Sequence, residues 1–316
     1  MSEAILYIVV PCYNEEEVLR ETARRLREKI LSMIGTKKIS AESKIVFVND
    51  GSKDSTWKII CELHAEDKIF SGINLSRNCG HQNALLAGLM TVKDFADAVI
   101  SMDADLQDDI NAVDEMIAKF EEGYDVIYGV RSKRATDTFF KKFTAESFYK
   151  LIKFLGADIV DNHADYRLMS KRALNGLAEF REVNLFLRGL VPMVGFPSTK
   201  VYYERAERFA GESKYPLKKM LAFAFEGITS LSIAPIRAIT RLGFLISSLS
   251  LAVLMWIFYK YFTGGVVIGW SSILASLWFL GGLILVSVGI VGEYVGKNYL
   301  ETKRRPRFIV ENFLID

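Results

Sequence analysis

The chain has 316 residues, half of them hydrophobic and a quarter charged, with a formal net charge of +2. That length holds one large domain with an appendage or two small domains, and so small a net charge gives no global field to attract nucleic acid. Three cysteines, Cys12, Cys61 and Cys79, form no CxxC pair and no Cys/His cluster of zinc spacing, and a sparse, odd set suits a reducing compartment.

The start has no basic segment, and the apolar run from Ala4 to Val10 is too short for a signal peptide, so the N-terminal part is expected in the cytosol. From there to about residue 135 strands and helices alternate. Ile5–Val10 is a buried strand. A helix from Glu15 to about Ile34 follows, with Asn14 as its N-cap and acidic residues in its first turn. Lys44–Val48 is a second strand, then a helix from Asp54 or Ser55 to about Ala65. Ile69–Leu75 is a third strand, followed by a helix from about His81 to Thr91. Ala98–Met102 is a fourth strand, with a helix ending near Glu122, and Asp125–Gly129 is a fifth. Repeated units of this kind imply an α/β fold with a mostly parallel sheet covered by helices. Every strand runs into a polar loop, at Cys12–Asn14, Asn49–Ser52, Ser76–Gly80, Asp103–Gln107 and Arg131–Arg134. In an open α/β sheet these loops share one edge, where ligands bind.

Further on, Phe139–Leu155 reads as an amphipathic helix, Arg167–Leu177 as a short strand passing into a helix, and Leu185–Met193 as a helix. Tyr203–Tyr215 is a basic, glycine-containing loop. Leu217–Leu231 is amphipathic with Lys218 and Lys219 at its start, as for a helix lying among lipid headgroups; a core helix of the soluble domain is the alternative. Two uncharged stretches follow, Leu242–Tyr259 and one around Trp270–Val291, each near the length that crosses a bilayer. Arg237 and Arg241 precede the first; Lys297, Lys303, Arg304, Arg305 and Arg307 follow the second; the connection between them has no Lys or Arg. The positive-inside rule then puts both ends in the cytosol. Gly281, Gly282, Gly289 and Gly292 offer small surfaces for close helix contact, so a homo-oligomer is possible.

Asp103-Ala104-Asp105-Leu106-Gln107 closes the fourth strand. In extended chain 103, 105 and 107 point to one side, where two carboxylates and an amide oxygen are hard ligands for Mg²⁺ or Mn²⁺. Such a motif alone is weak, because acidic loop tips are common; its setting among four companion loops strengthens it. Asp50, at the end of the second strand, can accept from a nucleobase N–H or can be part of a plain turn around Gly51. The histidines His64, His81 and His163 show no ligand spacing, although His81 can cap a helix near a nucleotide.

Taken together, Val9-Val10-Pro11-Cys12-Tyr13-Asn14-Glu15, Val48-Asn49-Asp50-Gly51-Ser52, Arg77-Asn78-Cys79-Gly80 and Asp103-Ala-Asp-Leu-Gln-Asp resemble family-2 glycosyltransferases of the GT-A fold. The basic loop, Ser213-Lys214-Tyr215 and the two apolar stretches resemble the polyprenyl-phosphate hexose transferase branch, relatives of dolichyl-phosphate mannose synthases. The resemblance covers nearly the whole chain. It implies a nucleotide-sugar pocket at Pro11, Tyr13, Asn14, Glu15, Asp50, Asn78, Gly80, Asp103 and Ala104, and a metal at Asp103 and Asp105 with Gln107 assisting. Two departures appear: Ile110 where the family usually has proline, and Asn49 where Asp-Asp-Gly-Ser is common. Asp165, in Ala164-Asp165-Tyr166-Arg167-Leu168-Met169, matches the family's acceptor-side acidic motif. A general base, a positioning group and a purely structural role all remain open for it, since a lipid monophosphate with a second pKa of about 6 needs no strong base. Cations for that phosphate are Arg131, Arg205, Arg208 and Lys214, with Ser213 beside them.

The expected architecture is therefore a cytosolic GT-A domain at 1–216, an interfacial helix at 217–236, two transmembrane helices within 237–295 (about 242–262 and 269–291) and a cytosolic tail at 296–316. The expected activity is inverting, metal-dependent transfer of a hexose, glucose or N-acetylglucosamine, from a UDP-sugar to polyprenyl phosphate for cell-envelope glycan modification, with catalytic roles for Asp165, Asp105 and Arg131. The rivals are a GDP-mannose-dependent mannose synthase, a processive polysaccharide synthase, for which the tryptophans lack the required Gln-x-x-Arg-Trp context, and a nucleotide-sugar sensor or scaffold without turnover.

Overall fold

The computed structural model describes residues 3–132, 163–204, 234–263 and 269–315. The expected helices at Phe139–Leu155 and Leu217–Leu231, and Arg205, Arg208, Ser213 and Lys214 of the basic loop, lie outside the described residues.

Eight strands form one sheet: β1 (Leu6–Cys12), β2 (Lys44–Asn49), β3 (Phe70–Leu75), β4 (Ala98–Ser101), β5 (Val126–Arg131), β6 (His163–Ser170), β7 (Ser198–Tyr203) and β8 (Val310–Leu314). Their spatial order is β7-β5-β6-β4-β1-β2-β3-β8. β1 lies at the centre and is buried along all of its seven residues, which is why its sequence is a continuous apolar run rather than an alternating one. Its side chains still divide by parity. Leu6, Ile8 and Val10 face α1 (Leu19–Gly35), α2 (Thr56–Glu66) and α4 (Ala112–Glu121). Tyr7 and Val9 face α3 (His81–Val92), α5 (Lys171–Ala178) and α6 (Leu187–Met193). α1 buries Leu19, Ala23, Leu26, Ile30 and Met33, spaced three and four apart as one helical stripe. Truncating one such residue, Leu26→Ala, costs about 2–5 kcal/mol. α3 lies so close to the sheet that a Cβ on Gly88 would sit 2.4 Å from Val9 Cγ1.

The pairings β1–β2, β1–β4 and β2–β3 are parallel, as expected, and β5 pairs in parallel with β7, a strand the sequence reading did not include. β6 is inserted antiparallel between β4 and β5, and β8 pairs antiparallel with β3 at the far edge. β1 to β5 thus all end at one edge, and β6 begins at that same edge. This is how a residue near the start of β6 comes to lie beside residues at the end of β4.

Some expectations change in detail. The first helix starts at Leu19 after a turn at Glu15–Val18, with Val18 rather than Asn14 at its N-cap. Asn14 has a left-handed backbone (φ 55°), and its side chain accepts instead from the Lys53 N–H at 2.9 Å. Residues 198–203, not expected as a strand, form β7. The last segment, expected as a tail, contains the end of a long helix and β8. Two long helices precede that strand: α7 (Ala234–Phe262, 29 residues) and α8 (Trp270–Lys303, 34 residues). Among the described residues one helical stretch, Phe279–Lys303 of α8, is long and apolar enough to cross a membrane, with mean hydropathy 1.8 and none of its apolar window buried. α7 exposes Phe244, Leu245 and Phe262.

Candidate active site

The loops after β1, β2 and β3 are laced together by their own polar groups. Asn14 N–H donates to Ser52 Oγ (3.0 Å), Glu15 N–H to Thr56 Oγ1 (2.9 Å) and Asp50 N–H to the Cys12 carbonyl (2.9 Å). A cleft between the first two loops, about 430 Å³ in volume, is lined by Asn14, Glu15, Glu16, Glu17, Val18, Lys53 and Asp54. Pro11 is buried near the end of β1, and Tyr13, next to Asn14 in sequence, is exposed. The Asp50 carboxylate is buried and accepts from the Cys79 N–H (2.6 Å) and the Gly80 N–H (3.0 Å). Burial raises its pKa, and those two N–H groups offset part of the rise. Asp50 therefore holds the third loop, and with it the N-terminus of α3. Gly51 is required there: it has φ +61°, and a Cβ would lie 2.5 Å from the Asn78 nitrogen. Asn78 and Gly80 are exposed on the same edge.

The loop after β4 is not extended. Ala104 and Asp105 form a turn, Leu106 is left-handed (φ 56°), and the Asp105 carboxylate accepts from the Gln107 N–H at 3.2 Å. The alternation rule therefore does not govern 103, 105 and 107. Asp103 and Asp105 are part-exposed and Gln107 is buried. The Ala104 carbonyl is held by Thr22 Oγ1 of α1 at 2.8 Å. Asp103 has its pKa pushed up to about 6, by burial first and then by the neighbouring Asp108, Asp165 and Asp105, against the lowering effect of His81. Oxygen donors with surplus negative charge fit a hard divalent cation. Among the described residues no three acidic, imidazole or thiol groups already converge as a metal site.

Asp165 sits beside this corner. His81 Nε2 lies 3.5 Å from Asp103 Oδ1 and 3.7 Å from Asp165 Oδ2, so one imidazole touches both carboxylates. Asp165 pairs with Arg167 Nη2 at 2.5 Å and with Arg188 Nη2 at 3.0 Å. Burial alone would raise its pKa, but Arg188 and Arg167 outweigh it and hold the group well below the usual carboxylate range. Arg131 ends β5 and reaches Asp108 (3.6 Å); Tyr203 donates to Asp108 at 2.5 Å and accepts from Arg131 Nε at 3.3 Å.

Sequence reasoning missed His81 as the bridge, and missed Arg167, Arg188, Asp108 and Tyr203. Arg167 was legible, since it stands two positions from Asp165 on one strand and so shares its face. Arg188 and Tyr203 come from elements whose placement no local pattern specifies.

The model of glycosyl transferase family 2 matches residues 7–177. The chain is 52% identical over 310 residues to the uncharacterized glycosyltransferase YkoT of Bacillus subtilis (strain 168), covering 98% of this chain and 92% of that one. It is 40% identical over 309 residues to the prophage bactoprenol glucosyl transferase homolog of Escherichia coli (strain K12), covering 96% and 97%. It is equally similar, over 310 residues, to the bactoprenol glucosyl transferase of Shigella phage SfV, covering 96% and 97%. Among solved structures, mannosyl-3-phosphoglycerate synthase from Rubrobacter xylanophilus aligns over 76% of this chain and 75% of its own at 13% identity and a TM-score of 0.48, a likeness too weak to carry an argument.

Proposed function

The chain belongs to glycosyl transferase family 2, and from that premise we propose that it transfers glucose from a UDP-linked donor to a polyprenyl phosphate at the cytosolic face of a membrane. The observation that carries this reading is one pair of neighbours: a carboxylate-rich corner at Asp103 and an arginine-held carboxylate at Asp165, with His81 between them at 3.5 and 3.7 Å. The choice of glucose and of a lipid phosphate is supported by the relatives named bactoprenol glucosyl transferase, which align with nearly all of this chain.

In this reading the loops after β1, β2 and β3 hold the nucleotide, with Asn14 and Glu15 at the cleft and Asp50 fixing Cys79 and Gly80. Asp103 and Asp105, with Gln107 assisting, would hold Mg²⁺ or Mn²⁺, which would supply charge neutralisation for the departing diphosphate. The acceptor phosphate is largely dianionic at neutral pH and is itself the nucleophile. Asp165 is held too acidic for a base; it orients Arg188 and His81 beside the sugar, and Arg131 faces the incoming phosphate. Arg205, Arg208, Ser213 and Lys214, outside the described residues, are the further candidates for binding that phosphate by their charge and hydroxyl chemistry.

Chain topology supports two spans. β8 belongs to the same sheet as β1, so the chain leaves the catalytic domain and returns to it, and crossings made in between would be even in number. α8 is the candidate for one; α7, at about 43 Å for 29 residues, is long enough to be the other.

The test is to supply membranes containing the protein with polyprenyl phosphate, Mn²⁺ and, in turn, UDP-glucose, UDP-N-acetylglucosamine and GDP-mannose. Mass spectrometry of the lipid fraction should show a polyprenyl-phosphate hexose from UDP-glucose. A product from GDP-mannose alone would replace the donor assignment, and nucleotide-sugar binding without any lipid product would overturn the enzymatic reading.

A further inference from the structure

α8 is longer than a membrane requires. Its uncharged stretch 270–292 spans about 34 Å at 1.5 Å per residue, which already matches a hydrocarbon core of about 30 Å. The remaining residues to Lys303, with Glu293, Lys297 and Glu301 among them, run on toward the catalytic domain. There the helix is tied to one short loop. Glu301 accepts from the Val183 N–H (2.9 Å), the Asn184 N–H (2.8 Å) and Asn184 Nδ2 (2.6 Å). Asn184 Nδ2 also lies 3.3 Å from the Lys297 carbonyl. Just past the helix, Arg307 Nη1 donates to the Phe180 and Glu182 carbonyls at 3.3 and 3.2 Å. The loop from 180 to 186 is thus held from both sides by the chain that leaves the apolar helix.

That loop leads directly into α6, and the second residue of α6 is Arg188, which holds Asp165. The first, Leu187, donates its N–H to Gln82 Oε1 at 2.8 Å, one position along α3 from His81. The tie at Asn184 and the guanidinium at Arg188 are four residues apart. Of the three hydrogen bonds to Glu301, two go to backbone N–H groups, and all three are charge-assisted, the stronger class of such contacts.

We propose that Glu301 is a positioning residue: it fixes the start of α6, and through Arg188 it sets Asp165, so that the end of the apolar helix determines the geometry of the acceptor side. Activity as the readout rests on the glycosyl-transfer reading above; the placement of α6 does not.

Two measurements on the full chain in lipid nanodiscs separate these. The first is hydrogen–deuterium exchange of wild type, Glu301→Gln and Glu301→Ala. Amides 183–190 should exchange faster in Glu301→Ala and to an intermediate degree in Glu301→Gln, which keeps one acceptor oxygen, while β1 to β4 stay protected. Faster exchange limited to 183 and 184, with α6 unchanged, would overturn the proposal. General loss of protection in Glu301→Ala would move the decision to Glu301→Gln. The second is a double-mutant cycle with Arg188→Ala on glucosyl transfer. Glu301→Ala alone should lower kcat by about tenfold, the loss of roughly one charge-assisted hydrogen bond's worth of positioning, with donor KM within about twofold. In the Arg188→Ala background it should add almost nothing, because its effect runs through Arg188. Fully additive losses would overturn the proposal. If wild type makes no lipid-linked hexose, the functional reading falls and the exchange measurement still decides the placement.

Discussion

Asp103 and Asp165 are the same chemical group in two neighbouring regions of one site, both within reach of His81, yet their surroundings act in opposite directions. Asp103 closes the parallel half of the sheet, where the loops are rich in carboxylates, and its pKa rises to about 6. Asp165 opens the antiparallel insertion, where Arg167 and Arg188 hold it charged. A carboxylate crowded by its own kind needs a cation brought from outside. A carboxylate gripped by arginines is already part of the scaffold. In the proposed reading Asp103, on the donor half, is thus completed by what binds, whereas Asp165, on the acceptor half, is already held by the fold.

That contrast breaks if the two aspartates respond alike to substitution. The largest expected effect is on catalysis: Asp103→Asn should lower the transfer rate by about 10²-fold or more, a loss of the size seen when a preorganised charge-stabilising group is removed, with thermal stability unchanged or higher. An unaltered rate would remove Asp103 from the donor half. Asp165→Asn should instead strike stability. It removes the charge opposite Arg167, which is 1% exposed, while keeping one acceptor oxygen, and breaking a buried ion pair from one side costs up to about 3–5 kcal/mol. A thermal or denaturant scan that matches wild type would show that the arginines do not depend on it.

The effect of pH sharpens the contrast further. Asp103 titrates near 6 in the folded, metal-free chain, against about 3.9 when unfolded. The folded state binds that proton more tightly, so this group's contribution to stability is fully present below about 3.9 and is lost as pH rises through 6. Asp165 behaves in the opposite sense: its contribution is present above about 3.9 and lost only in strong acid. Mn²⁺ competes with the proton on Asp103, so the rise in melting temperature on adding Mn²⁺ should be larger at pH 7.5 than at pH 5.5. Equal rises at both values would count against Asp103 as a ligand.

Two smaller effects test the edges of each half. Tyr203→Phe removes the hydroxyl shared by Asp108 and Arg131 and should cost about 0.5–1.5 kcal/mol, or a few-fold in acceptor KM. On the donor side, Asn49 donates to Asn74 (2.7 Å), which donates to Glu311 of β8 (2.9 Å). Asn49→Asp would leave the Asn74 amide between two carboxylates, with its oxygen facing one of them. Donor KM should rise about two- to threefold, within the worth of one hydrogen bond, and Glu311→Gln should restore it. A raised KM that Glu311→Gln leaves untouched would show that the relay does not reach the nucleotide loops.

Much of the donor half was legible beforehand, because its information is local. An apolar run ending in Asn-Asp-Gly-Ser or Asp-Ala-Asp states both the strand and the loop at its end, and parallel strands bring such loops to one edge without further instruction. The acceptor half was legible only as a motif around Asp165. Neither the insertion of β6 between β4 and β5 nor the pairing of β7 with β5 has a local signal, since strand order is set by contacts between segments far apart in the chain. Asn14 misled for a related reason: as a cap it satisfies local rules, but a neighbouring loop offered the Lys53 N–H to its side chain.

By itself the sequence determined the alternation of strands and helices, the polar edge, the acidic corner at Asp103 and Asp105, and the apolar stretches near the C-terminus, all of which follow from periodicity and residue chemistry within a few positions. Only the tertiary structure decided that Asp165 lies against Arg188 and His81, that Asp50 holds a loop, and that the chain beyond the apolar helix returns as β8 and grips the loop before α6. Those contacts join residues from about 20 to more than 230 positions apart, and a contact at that distance exists only after packing has chosen which surfaces meet.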